Sequence, residues 1–198
     1  MIRRISYTQA SKAYAAHGSQ LQRQTGHFEE ALDHVLRTEG GFSNHPLDRG
    51  NKMGRRTAYG ITQVAYNAYR TRKGLPRRNT REITQHEVRQ LYYEDYWLAS
   101  KADRLPRQLA LVHFDAAVNH GVFKANKLLQ RTLGLREDGV LGPETMRAIK
   151  RYSAKLVAEG YLNTRRDFYF VIVENTPSQK VFLRGWLARL ERLREIHR

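Results

Sequence analysis

The sequence predicts an all-α protein with one small β element between residues 42 and 61. Apolar residues recur at three- and four-residue spacing through most of the chain, helix start and stop signals flank those stretches, and runs of alternating polar and apolar residues are almost absent. No repeat is visible, and no linker rich in Pro, Gly or Ser divides the 198 residues.

The first periodic segment starts near His27, where Phe28, Ala31, Leu32, Val35 and Leu36 form one face and Glu29, Glu30, Asp33 and Arg37 the other. Paired Gly40-Gly41 stops it, which leaves Glu39 at a helix end. From Phe42 to Ala58 the chain is rich in Gly, Asn, Asp, Pro and Arg with no apolar period, so a long loop or small hairpin is expected. Thr62 is a plausible N-cap for a helix to about Arg70 that presents Val64, Ala65, Ala68 and Tyr69. Thr84 with Glu87 reads as a capping box for a helix to about Trp97, and a further helix covers about Arg107 to Asn119. Helices follow at about Lys124–Leu133 and from Pro143 to Arg151, with a turn at Asp138-Gly139 between them. Two long helices, about 153–174 and 178–195, finish the chain.

Thirty-five Lys and Arg against 19 Asp and Glu give a formal charge of +16, a field that attracts nucleic acid, anionic lipid or an acidic wall polymer. With no cysteine there are no disulfides and no thiolate chemistry. The eight histidines show no ligand spacing, so no metal and no cofactor are expected. Residues 1–26 form a polar N-terminal extension without the apolar stretch of a secretory signal, and no window is apolar enough for a transmembrane segment.

A carboxyl at the last turn of a helix feels the partial negative charge of the C-terminus, which disfavours ionisation. Glu39 is therefore a candidate general acid for glycoside cleavage, where the leaving oxygen must receive a proton. From position alone, an ordinary solvated glutamate before a glycine stop is the commoner outcome. Asp48, nine residues on, is either a second carboxylate that activates water or stabilises the cationic sugar, or a turn residue of Asp48-Arg49-Gly50. Thr57 either positions a water or is a loop threonine. The Glu, Asp, Thr order resembles phage-type lysozymes, although Thr57 comes later than in that pattern. Asn119 is placed to bond an acetamido group or to cap a helix end. Tyr59, Tyr96 and Trp97 could each offer a face to a pyranose ring, while core packing is the expectation for most of Tyr92, Tyr93, Tyr96 and Trp97. Trp186, amid Val181, Phe182, Leu183, Leu187 and Leu190, reads as part of a buried helical face.

Several ordered blocks are more specific than any of these residues alone. Glu39-Gly40-Gly41-Phe42, Asp48, Thr57-Ala58-Tyr59-Gly60-Ile61-Thr62-Gln63, Tyr92-Tyr93-Glu94-Asp95-Tyr96-Trp97 and Phe114-Asp115-Ala116-Ala117-Val118-Asn119-His120-Gly121 resemble family-108 glycoside hydrolases, bacterial and phage N-acetylmuramidases. Asp138-Gly139-Val140-Leu141-Gly142-Pro143-Glu144-Thr145 and Phe182-Leu183-Arg184-Gly185-Trp186-Leu187-Ala188-Arg189 resemble that family's companion peptidoglycan-binding region. The resemblance implies a lysozyme-like fold and cleavage of the β-1,4 bond between N-acetylmuramic acid and N-acetylglucosamine, with Glu39 in the essential acid position. Tyr59 stands where relatives commonly carry Trp, and Lys52, Arg55 and Arg56 make the loop unusually basic.

The expected layout is an extension (1–26), a muramidase region (27–105) and a helical region resembling a peptidoglycan-binding domain (106–198), packed as one body with the second. Asp138 to Thr145 is read first as a turn and Pro-initiated helix packed on the catalytic half, and second as a wall-binding element. Peptidoglycan glycan strands are the expected partner. The protein is expected to be made in the cytoplasm and to act in the periplasm or cell wall after holin-mediated or specialised export, which brings in an export or secretion partner. The rival reading is a non-catalytic basic module for nucleic acid or cell wall, although no nucleic-acid motif is present.

Overall fold

The computed structural model describes residues 26–38 and 57–197. Helix α1 covers 26–38. A two-stranded antiparallel hairpin follows, β1 (Thr57–Ala58) with β2 (Ile61–Thr62), in the register Thr57 to Thr62 and Ala58 to Ile61. Tyr59 and Gly60 form its turn with φ of 54° and 74°, both in the left-handed region that a type I′ turn demands. The remaining helices are α2 (Gln63–Arg72), α3 (Gln85–Tyr92), α4 (Arg107–His120), α5 (Val122–Thr132), α6 (Pro143–Ile149), α7 (Ala154–Asn175) and α8 (Lys180–His197). This is an all-α, lysozyme-like fold in which the small expected β element is the 57–62 hairpin.

Local signals explain most boundaries. The Thr62 hydroxyl accepts from Ala65 N at 3.2 Å and starts α2. Thr84 and Glu87 close the expected capping box at α3, and Ser153 caps α7 by accepting from Leu156 N at 3.2 Å. Pro143 opens α6, where its missing N–H costs nothing. Gly121 alone separates α4 from α5, with φ 80° and ψ 151°, a conformation open to glycine and strained for other residues. That single-residue break is why α5 begins at Val122 rather than near Lys124.

Helix α4 is the axis of the fold. Every residue from Leu109 to Ala117 is buried, so α4 is covered all round: by α5 and α7 on one side and by the extension of α3 on the other. A single apolar core runs from Phe28 of α1 to Leu193 of α8. Phe28 is fully buried among Tyr93, Trp97 and Phe114, with ring centroids 4.9, 5.7 and 6.0 Å away.

Three details differ from the sequence expectation. Helix α3 does not run unchanged to Trp97, because Tyr93–Leu98 adopts a π-helical turn. This wider turn leaves Tyr92 and Trp97 in the core while Tyr93 is 37 % exposed. On α2 the buried residues are Tyr66, Tyr69 and Arg70, whereas Val64 and Ala68 face solvent, because Arg70 turns inward to pair with Glu87. Trp186 is half-buried, stacked on Tyr169 at 4.9 Å and Phe182 at 5.9 Å, and Val181 is exposed. The face of α8 that enters the core is the one carrying Arg189, Leu190 and Leu193.

Candidate active site

The last described turn of α1 is tied by a hydrogen bond from the Thr38 hydroxyl to the His34 carbonyl at 2.9 Å. Glu39 and Asp48 lie outside the described residues. Thr57 is described only in its backbone, as the first residue of β1, paired with Thr62.

The hairpin is pinned to α3 from two directions. Tyr92 donates its phenol hydrogen to the Tyr59 carbonyl at 2.6 Å, and Gln85 Nε2 donates to the Tyr59 hydroxyl at 3.0 Å. A non-glycine residue in the left-handed region costs roughly 1–2 kcal/mol, and these bonds offset it. Tyr96, half-buried, lies with its ring 5.5 Å from Tyr92. Tyr59 and Tyr96 thus meet the same buried Tyr92. Asn119 does not join them: it is exposed at the end of α4, and its Oδ1 accepts from the Tyr169 hydroxyl of α7 at 3.1 Å.

Behind the hairpin, a buried polar network joins α2 to α3. Glu87 receives Arg70 Nη1 at 2.5 Å, Tyr66 OH at 3.0 Å, and Arg78. Burial works against ionisation of Glu87, but the hydrogen bonds from Thr84 and Tyr66 and the Arg78 charge outweigh it, and its pKa falls below the usual value. Gln63 braces the same region by donating to the Arg78 carbonyl at 2.8 Å and accepting from Thr80 N at 2.9 Å. Only the capping role of Glu87 was visible in the sequence.

A second buried cluster lies deeper. Asp115 of α4 has no exposure, and it accepts Arg165 Nη2 on Oδ2 at 2.6 Å and Arg189 Nε on Oδ1 at 2.7 Å. Burial works against its ionisation, but Arg189 and Arg165 dominate and hold the pKa down at about 2. His120 sits at the end of the same helix, depressed to about 3 chiefly by burial and then by Arg165. His113 is fully buried and depressed to about 4, again chiefly by burial. The signal for the cluster was present in the sequence, since a lone aspartate within an otherwise apolar helix needs a buried partner. Which arginines answer it was not.

Among the described residues no group of His, Asp and Glu is arranged to hold a metal, and no helix is long and apolar enough to cross a membrane.

The described residues form a lysozyme-like helical body with a short hairpin between α1 and α2, and this defines the fold class and not by itself an activity. Residues 32–121 match the family model of glycosyl hydrolase 108, and residues 124–191 match that of a predicted peptidoglycan domain. The two matches follow one another along the chain, and together they support a glycoside hydrolase acting on peptidoglycan. Among solved structures it is similar to SagA of Brucella abortus, with a TM-score of 0.74 and 28 % identity over 87 % of this chain and 94 % of that one. No curated protein sequence matches.

Proposed function

We propose that the protein is an N-acetylmuramidase of the lysozyme type, cleaving the β-1,4 bond between N-acetylmuramic acid and N-acetylglucosamine with Glu39 as general acid. The observation that carries this reading is the placement of α1. It is a core-packed helix whose last described turn ends at Thr38, immediately before Glu39, within the glycosyl hydrolase 108 match. A carboxyl at a helix C-terminus, the position that the sequence predicts for Glu39, is favoured in the protonated form that the reaction requires.

Glu39 gives its proton to the glycosidic oxygen as the C–O bond breaks, and Asp48 either takes a proton from the attacking water or stabilises the oxocarbenium-like sugar. Thr57, at the start of β1, orients the water. Tyr59 and Tyr96, joined through Tyr92, face pyranose rings, while Asn119, which stands apart from them with its Oδ1 taken by Tyr169, has only its Nδ2 to offer an acetamido oxygen. Residues 27–105 supply the catalytic groups and 106–198 the companion region. The enzyme works in the periplasm or cell wall after holin-mediated or specialised export.

Digestion of purified sacculi, borohydride reduction and mass spectrometry of the fragments test the bond assignment. The reading predicts reduced muramic acid at the new ends. Reduced glucosamine, anhydro ends or undigested strands would contradict it.

A further inference from the structure

Resting on peptidoglycan as the substrate, we propose that the Phe123 ring, held against the 138–142 turn with Val140 and Lys127 beside it, is a separate glycan-binding subsite. It takes the apolar face of an N-acetylated wall sugar and a carboxylate of the attached peptide. The turn is fixed from its buried side. Gln130 of α5 accepts from Gly139 N at 2.8 Å and donates to Asp138 Oδ1 at 2.6 Å and to the Val140 carbonyl at 3.0 Å. Asn126, also buried, donates to the Gly139 carbonyl at 2.8 Å, and Asp138 Oδ1 accepts from Val140 N at 2.8 Å. Lys101, which belongs to the first family match, donates to the Leu141 carbonyl at 2.8 Å. These bonds explain how the turn packs on the body of the protein, and none of them calls for what stands on its outer surface.

That surface is apolar, with 61 % of Phe123 and 58 % of Val140 exposed. A lone exposed apolar side chain is ordinary, but this ring is held in place. Gly139, at φ 77°, brings its backbone so close that a β-carbon there would overlap Phe123 Cε2 and Cδ2. Lys127, one turn further along α5, sets its ammonium 5.2 Å from the ring centroid. A ring already fixed loses little side-chain entropy when a ligand covers it, which is the advantage of a preorganised contact. The C–H face of a pyranose is apolar and suits such a ring, an acetamido methyl suits Val140, and a carboxylate of the wall peptide suits the Lys127 ammonium. Two observations select the wall polymer over a protein surface as the occupant. Lys127 and the turn lie within residues 124–191, which match a predicted peptidoglycan domain, and Phe123 directly precedes them. The formal charge of +16 also complements an acidic polymer.

The full-length chain is compared with Phe123→Ala, Phe123→Trp, Lys127→Gln and, as a control, Tyr152→Ala, which removes another exposed ring of the same region. Sedimentation with purified sacculi on ice measures binding, digestion at rising sacculus concentration gives turnover and half-saturation, and thermal unfolding checks the fold. The proposal expects Phe123→Ala to bind about 10-fold more weakly and to raise the half-saturating concentration, with turnover at saturation unchanged. Phe123→Trp should bind like the parent, and Lys127→Gln should bind more weakly at low salt and less so at high salt. Tyr152→Ala should change nothing. Parental binding by Phe123→Ala, parental binding by Lys127→Gln at low salt, or an equal loss in Tyr152→Ala would each overturn the proposal. So would a fall in saturated turnover with binding intact, which would assign Phe123 to the cleavage step instead. If Phe123→Ala does not fold, Lys127→Gln decides. Binding on ice is read without cleavage, so anhydro or reduced-glucosamine ends from the parent would overturn the bond assignment and leave this comparison standing.

Discussion

Lowering the pH from 7 to 5 strips stability from this fold through two buried imidazoles. His113 has no exposure, and its Nε2 lies 3.1 Å from both the Ser100 carbonyl and Asn126 Oδ1. Both are acceptors, which assigns the neutral ring's hydrogen to Nε2. On the other side the Tyr161 hydroxyl gives its one hydrogen to the Ala125 carbonyl at 2.8 Å and lies 3.3 Å from Nδ1, while the Arg165 charge adds a smaller effect against protonation. His120 is enclosed by Phe168 and Tyr169 at 5.4 Å each, with Arg165, Arg189 and Lys124 around it and only Asp115 in opposition. The folded values, about 4 for His113 and about 3 for His120, lie below the ordinary 6.5. Above pH 6.5 both folded and unfolded chains are neutral at these positions, and the full stability is present. As pH falls below 6.5 the unfolded chain takes up the protons and the folded chain does not, so stability is lost until the folded values are reached. At pH 5 each ring contributes a loss of about 2 kcal/mol, together about 4 kcal/mol, with a slope near 2.7 kcal/mol per pH unit. His34, shifted in the same direction, adds to it. Urea titrations at half-unit intervals measure this, and His113→Gln, which keeps a donor but does not titrate, should lose only about half as much. A flat stability between pH 7 and 5, or an unchanged slope in His113→Gln, would refute the reasoning.

Other expectations are simpler. Asp115→Ala leaves two buried guanidiniums without their shared carboxylate and should cost about 3–5 kcal/mol, read as a fall in Tm of roughly 6–20 °C. Thr84→Ala removes the cap of α3 and a hydrogen bond to Glu87, and should cost about 1–2 kcal/mol by urea unfolding. Gly121→Ala meets no neighbour within 4 Å, so its cost, on the order of 1–3 kcal/mol, comes from the backbone conformation alone. An unchanged Tm there would show that the break between α4 and α5 relaxes.

What could be read in the sequence was mostly local. The caps at Thr62 and Thr84, Pro143 as an opener and the glycine break at Gly121 act over a few residues, and each falls where the chain suggests. The features that were not legible depend on distant partners. Nothing near Arg70 announces that it turns inward, because its reason is Glu87, 17 residues away. The π turn after Tyr92 serves the simultaneous burial of Tyr92 and Trp97 around Phe114. Asp115 advertises a need for partners, yet Arg165 and Arg189 lie 50 and 74 residues on. For the candidate site, Tyr59 and Tyr96 converge on Tyr92, which sequence reading placed in the core, whereas Asn119 turns to Tyr169.

The most direct test of the account replaces one atom pair in the acid. Glu39→Gln keeps the shape of the side chain and removes the proton that the leaving sugar needs. In a turbidity assay on purified sacculi, the account predicts clearing by the parent chain and none above background by the variant, with both unfolding at the same temperature. Clearing by Glu39→Gln at the parental rate would contradict it.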